Sequence, residues 1–225
     1  MPSRTKQVSR GGRPREFNED EALGKMQRQL LTTGLSGVSV DGIARSAGLN
    51  RPSLAAAFGD KNAIYARAAA RYGAMMGARL GVALEKENLE AALQSAFDAA
   101  IEIYTAQGAD GCLVICTAPA EALTNPLCKK ILNQSLSAID ALFLRRLSQE
   151  GRASTAAPSD LAVLAIQLGA TLNSIALRAR AGWKRTRLQS LSRSAIATVV
   201  AAMRTGGSRA HSRAVVQSRR KARLS

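Results

Sequence analysis

The stretch SVDGIARSAGLNRPSLAAAFGDK, residues 39 to 61, constrains the fold more tightly than any other part of the chain. Ser39, Asn50 and Asp60 have short polar side chains that can accept from the free N–H groups at a helix start, and Gly48 and Gly59 stand where two helices must stop. Val40, Ile43, Ala44 and Ala47 fall on one helical face, and Leu49 can pack behind the Gly48 turn. Pro52 is tolerated in the first turn of the second helix, where its missing N–H had no partner. Leu54 and Phe58, four apart, anchor that helix to the first. Two short helices joined by a tight glycine turn form a helix-turn-helix.

Upstream, FNEDEALGKMQRQLLTTG supplies one more helix. Asn18 is its cap, Glu21 is placed to complete a capping box, Leu23, Met26, Leu30 and Leu31 share a face, and Gly34 ends it. Beyond Lys61 longer helices are expected at roughly 61–80, 88–107, 112–122, 125–150, 159–181 and 187–204. Apolar residues are mostly alanine and leucine, and aromatics make up only 4% of the chain, which favours helix over strand. The expected class is all-α, about nine helices, with an N-terminal three-helix domain and a helical C-terminal domain. Leu161, Leu164, Leu168, Leu172 and Ile175 make one apolar stripe, and Leu188, Leu191, Ala195, Val199 and Met203 another. These stripes could fill the chain's own core or pair with a second copy in a four-helix bundle.

The formal charge of +16 is concentrated at the ends. Residues 1–15 carry Arg4, Lys6, Arg10, Arg13 and Arg15, and residues 205–225 carry Arg209, Arg213, Arg219, Arg220, Lys221 and Arg223, with no acid in either stretch. The chain therefore divides into a disordered basic arm (1–15), a helix-turn-helix domain (16–63), a body (64–204) and a disordered basic tail (205–225). Such arms suit a polyanion, or serve only to solubilise. Three cysteines with no apolar leader argue against a disulfide framework and for a cytoplasmic protein with reduced thiols. No run is expected to reach the length and apolarity of a membrane span.

The capped first helix, the segment SVDGIARSAGLNRPSLAAAFGDKNAIYARA and the helical remainder resemble the TetR/AcrR family of bacterial transcriptional regulators. The likeness is specific from Arg13 to Ala66; beyond that the body matches only in being helical and of suitable length. It implies a homodimer on palindromic double-stranded operator DNA, with an effector pocket in the body and release from the operator when a small molecule binds. By family position Ser39 and Arg45 become DNA contacts, Ser39 toward a phosphate. Family members commonly place tyrosine and histidine, or tyrosine and alanine, where this chain has Ala55 and Ala56, so the departure removes an aromatic contact.

Elementary geometry supports a reading surface on the second short helix. With Leu54 and Phe58 buried, Pro52, Ser53 and Ala56 turn outward and Ala55 lies at the flank; Asn50, Arg51 and Ser53 occupy the end that approaches base edges. Lys61, at a helix start, can meet a phosphate. Ala55 and Ala56 could contact thymine methyls, or simply favour helix and leave recognition to Arg51 and Ser53. GGRPR, just before the first helix, could enter a neighbouring minor groove; deleting residues 1–15 should then weaken operator binding and flatten its salt dependence.

Within the body, Phe97, Tyr104 and Phe143, with Met75 and Met76, could line an effector cavity or be ordinary core. Asp98, Glu102, Glu121, Asn173 and Arg178 are candidate polar contacts or solvated residues. Cys112 and Cys116, one turn apart, with Cys128 beyond, could line the cavity, sense an oxidant or soft metal, or serve as small core residues. No metal or cofactor is expected. Gly73, Gly77 and Gly81, spaced by four, suggest close helix packing. No GxSxG or HExxH motif and no phosphate-cradling glycine loop occurs, so an enzyme is not expected. The alternative to a DNA-binding regulator is a ligand-binding helical protein that has lost sequence-specific DNA binding.

Overall fold

The computed structural model describes residues 17–106, 111–151 and 158–221, with backbone alone for 151, 158–159 and 205–221. The expected arm at 1–15 lies outside them. The described residues form helices and no strand: α1 (Glu19–Thr33), α2 (Val40–Ala47), α3 (Arg51–Phe58), α4 (Lys61–Ala83), α5 (Leu89–Tyr104), α6 (Leu113–Glu121), α7 (Pro126–Gly151), α8 (Pro158–Arg180) and α9 (Arg185–Lys221).

Caps set the head. Asn18 accepts from the Asp20 and Glu21 amides, Ser39 from Gly42, Asn50 from Ser53 and Asp60 from Ala63. The capping box expected at Glu21 is not what its side chain makes: Glu21 pairs with Lys25 one turn on, at 2.7 Å, because an i,i+4 cation competes for the carboxylate. Gly48 sits at φ 72°, ψ 27°, a left-handed conformation that costs glycine little, and the Leu49 amide reaches back to the Ala44 carbonyl at 2.9 Å. Met26, Leu30, Ile43, Leu54 and Phe58 close the head's core. Each such side chain contributes about 1.5–3 kcal/mol by leaving water.

The head is tied to the long α4. Arg67 lies over the Phe58 ring at 4.5 Å and donates to the Ala57 carbonyl at 2.9 Å and to Glu19 at 3.1 Å, while Arg71 pairs with Asp20 at 2.9 Å. The expected division between 63 and 64 therefore falls in the first turn of a continuous helix that packs against α1 on one side and α5 and α7 on the other.

In the body, α5 packs against α4, α8 and α9, and α7 against α8, α6 and α4. Phe97 and Phe143 stack at 5.7 Å with neither ring exposed beyond 1%. Leu161, Leu168, Leu172 and Ile175 are buried, as are Leu188, Val199 and Met203, so both stripes serve this chain's own core. A second face of α8 leaves Val163 (54% exposed), Ile166 (54%) and Leu177 (50%) in the open.

Within the expected basic tail, residues 205–221 are helical backbone continuing α9; alanine, arginine, glutamine and lysine are good helix formers, no proline intervenes, and Gly206 and Gly207 do not interrupt the run. Residues 222–225 lie outside the described residues. Also, the segment Asp160–Arg180 has the length and hydropathy of a membrane span, with a mean of 1.5. Its buried side packs against α7, α9 and α5, and the exposed Val163, Ile166 and Leu177 add the rest of the apolarity, so the expectation that no run would reach a membrane span's length and hydropathy is corrected.

Candidate functional site

The outer surface of α3 is nearly bare. Pro52, Ala55 and Ala56 are exposed, Ser53 and Ala57 half-buried, and Leu54 and Phe58 buried, as the four-residue spacing predicts. Asn50 and Ser39 spend a side-chain oxygen on their caps, at 2.8 and 3.0 Å, which leaves the Ser39 hydroxyl proton for another acceptor. Arg45 is exposed on α2, its Nε 3.5 Å from the Asp41 carbonyl.

Arg51 is held more firmly than its exposed position suggests. Its Nε and Nη2 donate to the two carboxylate oxygens of Asp41 on α2, the second at 2.6 Å. The hydrogen bond from Arg51 holds the Asp41 carboxyl below its ordinary range, and the same bond raises the Arg51 guanidinium. A guanidinium has five donors in a rigid plane, so side-on capture of two leaves the end-on pair unclaimed by Asp41. Asp41 was not singled out in the sequence; the signal was an acid in the first turn of one helix and a base in the first turn of the next. Lys61 is half-buried and lines a polar crevice of about 280 Å³ with Ser36, Asp60, Asn62, Glu121 and Asn125.

The body contains a cavity of about 390 Å³ between α4, α6, α7 and α8. Tyr104, Cys112, Met76 and Asn173 line it. Phe97 and Phe143 do not: they form the stacked pair in the core, because two facing rings bury more surface against each other than against a void. Cys116 does not line it either and sits with Sγ 3.8 Å from the Ala176 carbonyl. Asp98 accepts from Gln189 at 3.2 Å, Arg178 reaches Ser174 and the face of Trp183, and Glu102 is exposed.

Burial disfavours the thiolate at all three cysteines, pushing Cys112 up to about 11 and raising Cys116 and Cys128. Desolvation likewise raises Tyr72 and Tyr104, and Tyr65 to about 12. Among the described residues no three His, Cys, Asp or Glu side chains converge as metal ligands.

The glycines of α4 have a different role from the one expected. A Cβ at Gly73, Gly77 or Gly81 would meet no atom within 4 Å, so none permits close helix packing, and Gly73 and Gly77 line the cavity. Each glycine costs a helix interior about 0.8–1.0 kcal/mol relative to alanine. Lys130, Gln134 and Ser135 of α7 also line the cavity, and the i,i+4 spacing of the first two was the available signal.

Cavity and head are joined by α6. Its N-terminal end supplies Val114 and Ile115 to the cavity, while at its other end Glu121 accepts from the Ser36 amide at 3.0 Å, between α1 and α2. Midway, the buried Tyr65 hydroxyl donates at 2.8 Å to Thr117, whose own proton goes to the Leu113 carbonyl at 2.6 Å. From α8, Arg180 donates to the carbonyls of Leu31 and Thr32, the latter at 3.0 Å, in the last turn of α1.

No family model matches the sequence, and no curated protein is similar to it in sequence. Solved structures do match the fold. A cysteine-substituted form of the TetR family transcriptional regulator CifR, complexed with 26-bp double-strand operator DNA, superposes with a TM-score of 0.73 at 23% identity, covering 82% of this chain and 98% of that one. A transcriptional regulator from Rhodococcus sp. Rha1 matches with a TM-score of 0.69 at 19% identity, over 81% of this chain and 96% of that one. A TetR family transcriptional regulator from Cytophaga hutchinsonii gives 0.68 at 15% identity, over 83% and 98%. The fold is that of TetR-family transcriptional regulators.

Proposed function

We propose that this chain, with the fold of TetR-family regulators, is a sequence-specific DNA-binding transcriptional repressor that a small molecule releases from its operator. The observation that carries the reading is the two-helix unit α2–α3. Capped at both N-termini and anchored by Leu54 and Phe58, it presents a face of small residues and the Asp41-braced Arg51. Small residues let the helix approach the major groove closely, and one oriented guanidinium suffices for a guanine contact. Ser39, Arg45 and Lys61 then serve phosphates, which fix position and not sequence. The noncatalytic assignment and a cytoplasmic location follow from this role.

Repressors of this kind read two half-sites about one helical turn apart, which requires two heads. The exposed Val163, Ile166 and Leu177 of α8 favour a homodimer closed through that face, continuous with the helices that already form the body's core. In the effector step a molecule in the cavity displaces α6, and Glu121 passes the movement to the loop after α1.

Selection of bound duplexes from a random pool tests the reading. A palindromic consensus whose binding survives physiological salt supports it. The bare surface at Ala55 and Ala56 favours the second reading, a ligand-binding protein without operator specificity, which predicts only salt-labile binding and no consensus.

A further inference from the structure

The cavity carries chemistry of its own. Its α4 wall is nearly side-chain-free at Gly73 and Gly77, two glycines with no packing partner to require them in a long helix, where they are costly. Space kept at that cost suits a ligand body lying against the helix. From α7, Ile131, Ile139 and Leu142 add apolar surface beside the polar Lys130, Gln134 and Ser135.

Charge is one-sided. Lys130 is the single ionised side chain in the lining, no carboxylate shares it, and Lys130 has no ion-pair partner among the described residues. The nearest acid in sequence on α7, Asp140, lies against Gly169 of α8, and Glu121 is spent on the Ser36 amide. Lys130 is exposed while Met76 and Tyr104 are buried, so the cation stands at the mouth and the apolar surface lies deeper. Gln134, one turn from Lys130, adds amide donors on the same face.

We infer that the cavity binds a small molecule with an apolar body and one carboxylate, the body against Gly73 and Gly77 and the carboxylate at Lys130 and Gln134. A cationic ligand would find no opposing charge here, only the neutral oxygens of Gln134, Ser135 and Asn173 and the tyrosines Tyr72 and Tyr104, with Lys130 repelling it. The inference rests on reading the cavity as the effector site.

Isothermal titration of the full chain without DNA tests it, using 2-naphthoate and decanoate, their neutral amides, and the amines of the same carbon skeletons. Both acids are expected to bind about tenfold tighter than amide or amine, a difference of about 1.4 kcal/mol. Lys130→Gln should bring acid and amide within about twofold of each other. Gly77→Ala should raise the melting temperature of the free protein yet weaken every acid, since it strengthens the helix and narrows the slot. An amine that binds as well as its acid, an acid preference that survives Lys130→Gln, or no binding of either acid at millimolar concentration overturns the inference. Operator release is read separately by mobility shift. Acids that bind the cavity without releasing DNA leave the ligand class standing and overturn the effector reading.

Discussion

Arg180→Met removes the guanidinium that joins α8 to α1 and keeps most of the stem. In the native chain that group donates to Leu31 and Thr32, two carbonyls in a last turn whose acceptors have no helical partner of their own. A hydrogen bond from a charged donor is worth about 1.5–3 kcal/mol, and a cation beside a helix C-terminus adds about 0.3–1 kcal/mol. The guanidinium is only half-buried, so screening and water replacing it at the carbonyls reduce the sum. The expected loss is about 1–2 kcal/mol, read as a lower urea midpoint at unchanged m-value. Lysine should recover part of it, since a point charge cannot serve two carbonyls as a planar fork does. Because the bond crosses from body to head, the variant should also shrink the ratio of operator affinities without and with a bound ligand. A loss below about 0.5 kcal/mol, the range of ordinary surface substitutions, would refute the energetic argument. An unchanged affinity ratio would refute the coupling.

Other perturbations have definite signs. Asp41→Asn frees Arg51 to rotate, so selected DNA should lose its preference at one guanine position, on the order of tenfold, while non-specific affinity holds or rises; competition between matched duplexes checks it. A Cβ at Gly169 would overlap the Asp140 carboxylate. That carboxylate is the end of a half-exposed side chain and can swing aside, so Gly169→Ala should be neutral or stabilise by up to about 1 kcal/mol through helix propensity, and in an Asp140→Ala background the full gain should appear in urea midpoints. Tyr65 is raised by burial from 10 to about 12, so the unfolded chain ionises first and stability is lost as pH rises through that interval. Urea midpoints between about pH 9 and 12 should fall, and less steeply in Tyr65→Phe.

What the sequence made legible was local. Asn18, Ser39, Asn50 and Asp60 cap through amides two or three residues away, so short-range spacing alone locates four helix starts, and Leu54 and Phe58 orient α3 with no knowledge of the body. What stayed hidden depends on distant partners. Phe97 and Tyr104 are both buried on α5, yet one stacks on Phe143 and the other faces the cavity, a difference set by where α7 crosses. The glycines of α4 show why the ambiguity is physical. A spacing of four brings glycines to one face whether another helix presses there or nothing does, and sequence records the missing side chain without recording what fills its place. Only the open space beside Gly73 and Gly77 separates the two cases. It turns an apparent packing motif into a cost in helix stability that filling the cavity can explain.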